Sequence, residues 1–173
     1  VEGRTEYDSF IAIARKLSAM YDEEYSSFDN LGIAVINAES DSFIAPLADY
    51  YKRLGKKVFA IFDKQTPDDL VRITSVVDHP YEAKEKGFEN ILMNNISEDV
   101  LCKYANMLFE EGLWPSDIKR SFPVKQEHIK EVIDELKEIL GRKKGDGYAA
   151  MLLLLCEEKE IPEYIKSVLK SIK

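Results

Sequence analysis

Three acidic residues stand where this chain can do chemistry. Glu2 and Glu6 flank the short turn Gly3-Arg4-Thr5, and Asp63 follows the apolar run Val58-Phe59-Ala60-Ile61-Phe62. Carboxylates gathered in one place repel each other unless a cation lies between them, and hard oxygen donors suit Mg²⁺ or Mn²⁺. Glu2 and Glu6 also have a plainer use, as solvated acids favoured by the dipole at the start of a helix. The only histidines are His79 and His128, which excludes a His-rich metal centre. Cys102 and Cys156 are the only cysteines, and both sit in apolar helical contexts, as expected in a reducing cytosol.

The elements that must position these acids follow from periodicity. Val1 reads as the last residue of a strand, Gly3 as a tight turn, and Thr5 as the N-cap of a helix over residues 6–20. Phe10, Ile11, Ala14 and Leu17 form its apolar stripe. Residues 32–36 and 58–62 are short β-branched runs of the kind buried on both faces of a sheet. Between them, Ser40 or Asp41 caps a helix to about residue 54, predicted to bury Phe43, Leu47, Tyr50 and Tyr51 and to close at Gly55. The order β-α-β-α-β predicts right-handed crossovers and a parallel sheet. Glu2 and Asp63 then share the C-terminal edge, where open α/β sheets place their sites.

Further on, Pro67 opens a short helix, residues 72–77 read as another strand, Asp78-His79-Pro80 as a break, and residues 82–86 as helical. From Ser97 the pattern is helical throughout. Helices are predicted from Ser97 to a stop at Gly112, over residues 128–140 to a stop at Gly141, over residues 148–158, and from Pro162 onward. This is an α/β core over residues 1–96 with a helical C-terminal portion over residues 97–173 packed on it.

Of the 173 residues, 45% are hydrophobic and 32% charged, the balance of a soluble globular chain with no run long enough to span a membrane. A secretory leader is not expected at a start made of acids and a turn. The net charge of −8 excludes nucleic-acid binding by bulk charge, but not a metal-dependent enzyme with local basic residues. Such clusters are Arg53, Lys56 and Lys57; Lys119 and Arg120; and Arg142, Lys143 and Lys144. Solvated faces explain such clusters more often than phosphate contacts do. His79 beside Asp78 has the makings of a base but also of a turn. Glu39 and Asp41 lie on a strand-end turn, as site acids or as caps. Tyr50 and Tyr51 are base-stacking candidates or core.

The pattern Val-Glu-Gly-x-Thr-Glu before a helix resembles the opening motif of the Toprim domain. The form is that of the overcoming-lysogenization-defect (OLD) nucleases, a group that includes the Gabija anti-phage nuclease subunit. The tail Lys144-Gly145-Asp146-Gly147-Tyr148 is similar to that family's as well. The resemblance implies a Toprim (Rossmann-like) α/β fold and assigns Glu2 and Glu6 to the opening acids. It assigns Asp63 to the first acid of Asp-x-Asp, where Gln65 departs from the second. It implies Glu89, or alternatively Glu98, as a downstream acid, and Lys144, or alternatively Lys143, as the late lysine. Glu2, Glu6, Asp63 and Glu89 would then hold two Mg²⁺ or Mn²⁺ ions. Glu2, Asp63 and Lys144 would carry catalysis, with Glu2 a general base as an alternative. The implied activity is cytoplasmic DNA cleavage or nicking in phage defence. Implied partners are DNA, an ATPase domain on the same parent chain, since no phosphate loop occurs here, and further copies of itself. A Toprim of another nucleic-acid activity is one rival. A degenerate Toprim acting as a scaffold is the other, and Gln65 favours it.

Overall fold

A computed structural model describes residues 1–173. Its sheet edge is set by the first two residues. The Val1 nitrogen donates to the Ile36 carbonyl at 2.9 Å, and the Val1 carbonyl accepts from the Ala38 amide at 2.9 Å. The Glu2 amide then donates to the Ile61 carbonyl at 3.1 Å. That is the bonding of a parallel rung. It lays Val1 and Glu2 between residues 36–38 and the end of strand β1 (Phe59–Phe62). On its other side β1 pairs in parallel with β2 (His79–Glu82), with Phe59 opposite His79 and Phe62 opposite Glu82.

Helices cover this small sheet: α1 (Arg4–Met20), α2 (Asp41–Arg53), α3 (Pro67–Thr74) and α4 (Phe88–Asn95). The helical portion follows as α5 (Glu98–Glu110), α6 (Ile129–Arg142), α7 (Tyr148–Leu155) and α8 (Glu163–Ile172). The fold is therefore α/β, a parallel sheet flanked by helices with a helical C-terminal portion, as the sequence pattern implies. No helix is long and apolar enough to cross a membrane.

Several local expectations are corrected. Residues 33–36 form no regular strand; an apolar cavity of about 490 Å³ lies between them and β1, and the Val1-Glu2 segment bridges the two. Residues 72–77 are not a strand. Pro67 at the first helical position and the Thr66 hydroxyl, accepting from the Asp69 amide at 3.3 Å, start α3 and carry it to Thr74. His79-Pro80 is not a break but the start of β2. That strand lies at the sheet edge, where the missing proline N–H costs no ladder bond. Residues 83–86 are not helical; Gly87, at φ 85°, begins α4. Gly141 does not stop α6, which runs on to Arg142. Helix α7 ends at Leu155, because a capping box of Glu157 and Glu160 starts a separate turn.

Helix α2 is also rotated from the expected face. It buries Ile44, Ala45 and Ala48 and leaves Phe43 and Tyr50 exposed. Small residues let its backbone approach Ala60 and Phe62 of β1, where larger side chains would hold the layers apart. Thr5 is not the N-cap of α1. Gly3 is, and Thr5 lies within the first turn with its hydroxyl buried and unpartnered.

One hydrophobic core joins α1 to α4 through α8, with Phe10, Ile13, Leu17, Leu136, Leu152 and Leu153 fully buried. Helix α1 packs along α7, and the Lys16 ammonium donates to the carbonyls of Leu154 and Cys156 at 2.8 and 2.5 Å, closing the end of α7. Leu152→Ala should therefore cost about 3 kcal/mol by cavity formation, read as a lower urea midpoint with unchanged slope.

Candidate metal centre at the sheet edge

The site begins with Glu2, which leaves the sheet at the level of Asp63. One Glu2 carboxylate oxygen accepts from the Asp63 amide at 3.1 Å and from the Gln65 side-chain nitrogen at 3.2 Å. The ladder would otherwise bring the Glu2 carbonyl to that amide. Asp63 follows the last residue of β1, and both its carboxylate oxygens are held. Oδ1 accepts from Gln65 Nε2 at 3.0 Å, and Oδ2 from the Gly87 amide at 2.6 Å. Gln65 Nε2 also donates to the Asp63 carbonyl at 3.1 Å. The Gln65 amide nitrogen thus sits between two carboxylates, in a place chemically suited to a cation. Its backbone is fixed in turn, the Gln65 N–H donating to Glu82 Oε1 at 2.9 Å.

Glu6 is the third residue after the Gly3 cap, the position from which a glutamate reaches back over a helix start. Its carboxylate oxygen lies 2.8 Å from where a Cβ on Gly3 would stand, so any side chain at position 3 would push that carboxylate aside. Burial raises the Glu6 carboxyl, and the charge of Lys144 is among the groups that oppose that rise. The loop carrying Lys144 rests on the first turn of α1. Gly145 has φ 78°, and a Cβ on it would come within 2.9 Å of Arg4 Cβ. Lys143 points elsewhere, pairing with Asp146 at 3.8 Å and lying 5.9 Å from the Tyr148 ring centre.

Electrostatics report the crowding. Burial pushes the Glu2 carboxyl up to about 7; the Asp63 amide opposes the shift, while the charges of Asp63, Glu6 and Asp41 add to it. Burial also raises Glu6, with its own amide and Lys144 opposing and Asp63 reinforcing. Tyr164 of α8 stands near the same group: burial, then Glu6, raises its hydroxyl, as do Asp63 and Glu2.

Of the residues predicted from sequence, the fold gathers Glu2, Glu6, Asp63 and Lys144 at one edge. Glu89 is on the adjoining first turn of α4, with its carboxylate folded back over Gly87, 2.8 Å from a Cβ position there. Glu98 is exposed in the first turn of α5 behind the Ser97 cap. Asp41 and Tyr164 join the edge electrostatically. The strand-end turn gave a signal for Asp41, and nothing in the local sequence gave one for Tyr164. The arginine of each basic cluster is paired: Arg120 with Glu135 at 2.5 Å, Arg142 with Asp117 at 2.6 Å, and Arg53 with Asp49 at 2.8 Å.

Residues 1–64 match the family described as overcoming lysogenization defect protein-like, TOPRIM domain. That TOPRIM segment holds Glu2, Glu6 and Asp63, and points to metal-dependent, nuclease-type chemistry on nucleic acid. No curated protein and no solved structure matches the chain. The donor set suits a hard divalent cation, since burial raises two neighbouring carboxyls and backbone amides, the charge of Lys144 and the N-terminal charge only partly offset the rise. No three acids converge on one point as they stand, because Gln65 is interposed between Glu2 and Asp63.

A carboxyl with a higher pKa folded than unfolded holds its proton longer in the folded state, so stability falls as pH rises through that interval. For Glu2 the interval runs from 4.5 to about 7. Without metal, the thermal midpoint should decline across that window and level off above it, and Glu2→Gln should flatten the decline. Scanning calorimetry in chelator at stepped pH measures both.

Proposed function

We propose that this protein is a Mg²⁺- or Mn²⁺-dependent endonuclease that cuts or nicks DNA. Glu2, Glu6 and Asp63 are its cation ligands, and Glu89 is a further ligand once its side chain turns from Gly87. The observation that carries the reading is the gathering of Glu2, Glu6 and Asp63 at one sheet edge inside the TOPRIM segment, with Glu2 and Glu6 both raised. Two bound cations would neutralise the phosphate, activate a water and stabilise the leaving oxygen. Glu2 orients the Asp63 amide and, with its carboxyl near 7, can also take up a proton close to neutral pH. Lys144 supplies positive charge beside Glu6, where the phosphate gains negative charge in the transition state. The reading carries with it the family's setting: phage defence in the cytoplasm, an ATPase domain of the same parent polypeptide, and self-association.

Asp63→Ala and Glu2→Ala should each lower nicking of supercoiled plasmid in Mn²⁺ by more than about 100-fold, with circular dichroism unchanged. Near-normal cleavage by Asp63→Ala would overturn the proposal. Gln65→Asp replaces a neutral amide with a charged oxygen donor, so it should tighten cation binding and raise cleavage at low Mg²⁺. The check is cleavage rate against Mg²⁺ concentration for both proteins; superimposable curves would put Gln65 outside the coordination shell.

One observation favours a second reading. The Gln65 side-chain nitrogen itself ties Glu2 to Asp63, as a TOPRIM segment retained as a scaffold would need. Calorimetric titration with Mn²⁺ separates the two, because a scaffold takes up none at this edge.

A further inference from the structure

Tyr164 lies on α8, a hundred residues from the strand end it touches. Its hydroxyl has one proton to share between two carbonyls, Tyr81 at 2.8 Å and Phe62 at 3.2 Å, and the Phe62 carbonyl also accepts from the Ala83 amide at 2.9 Å, so Tyr164 is its second anchor. The Phe62 carbonyl shares a peptide plane with the Asp63 amide, and that amide donates to the Glu2 carboxylate at 3.1 Å. A peptide unit is rigid, so a group bound at its oxygen sets the direction of its N–H. The Tyr81 carbonyl likewise shares a plane with the nitrogen of Glu82, whose carboxylate holds the Gln65 backbone at 2.9 Å. One hydroxyl therefore sits behind both peptide units that lead into the acidic edge.

The ring has a separate job. It packs edge-on against Phe10 of α1 at 6.5 Å, and Phe10 is one turn beyond Glu6. Phenylalanine would keep that packing, so the hydroxyl is in excess of what the core requires.

We propose that Tyr164 is a positioning residue for the acidic edge: its hydroxyl fixes the Phe62–Asp63 peptide plane and, through it, the placement of the Glu2 and Asp63 carboxylates. The consequence for cation binding rests on the function proposed above; the positioning itself does not. A control on the same packing exists at the far end of α8. There Tyr25 donates to Glu158 at 2.9 Å, and the Lys170 ammonium lies 5.0 Å from the Tyr25 ring centre.

The experiment compares Tyr164→Phe with Tyr25→Phe in the whole chain, reading amide hydrogen exchange and Mn²⁺ titration. Tyr164→Phe should speed exchange at the Asp63 amide about three- to tenfold and weaken Mn²⁺ binding by a similar factor, the loss expected for one hydrogen bond. Tyr25→Phe should lower the thermal midpoint and leave both readouts unchanged. Equal shifts in the two variants would mean that Tyr164 acts only by docking α8, and unchanged Asp63 exchange in Tyr164→Phe would also overturn the proposal. If the unaltered protein takes up no Mn²⁺, the cation reading fails while the exchange measurement still decides the positioning.

Discussion

The hydrogen bond from the Asp63 amide to the Glu2 carboxylate is the contact on which the sheet edge depends. It joins the first residues of the chain to the end of β1 at the point where the parallel ladder runs out. By using a side chain in place of the Glu2 carbonyl, it turns the end of a sheet into an acidic cluster. The electrostatic cost is visible in the raised pKa values of Glu2 and Glu6. It is offset locally by Gln65 and Gly87, which donate to Asp63, and by Lys144 beside Glu6. The remainder falls on the hydrophobic core, which is large enough to hold like charges together.

Much of this was legible in the sequence because strand ends, glycine turns and helix starts leave local signatures. Gly3 followed by an apolar stripe located α1, and the run ending at Phe62 located Asp63. The errors share a physical cause. Residues 33–36 have the composition of a strand, but a strand is defined by a partner, and the Val1-Glu2 segment stands between them and β1. Residues 72–77 have β-branched composition, yet the Thr66 cap and Pro67 fix a helix before that preference can act. On α2 the helical period admitted two faces. Size favoured Phe43 and Tyr50 as the buried one, and close packing against β1 chose the alanines instead.

The site divides in the same way. Glu2, Glu6 and Asp63 could be predicted because each is tied to the end of an element that its own neighbours define. Lys144 was preferred to Lys143 only through the family resemblance, since its placement depends on how the Gly145 turn lies against Arg4. Tyr164 was beyond reach for a stronger reason. Its role exists only once α8 is docked beneath the sheet end, and no local pattern encodes a contact between residues 164 and 62. The helical portion is thus part of the site's support, although the family match stops at residue 64.

Gln65 shows what a single neutral side chain changes at such an edge. A carboxylate in its place would add a third half-buried negative group beside Glu2 and Asp63. The metal-free fold would then lack the donor that now links them, and assembly of the edge would be coupled to cation uptake. The amide removes that coupling: its nitrogen contacts both carboxylates and the Asp63 carbonyl, so the edge can form before any cation arrives. Under the function proposed above, a cation entering between Glu2 and Asp63 would have to break or rearrange the same contacts, and their energy would be subtracted from its binding. A preassembled edge and a weaker first cation site would then be two consequences of one neutral side chain at the strand end.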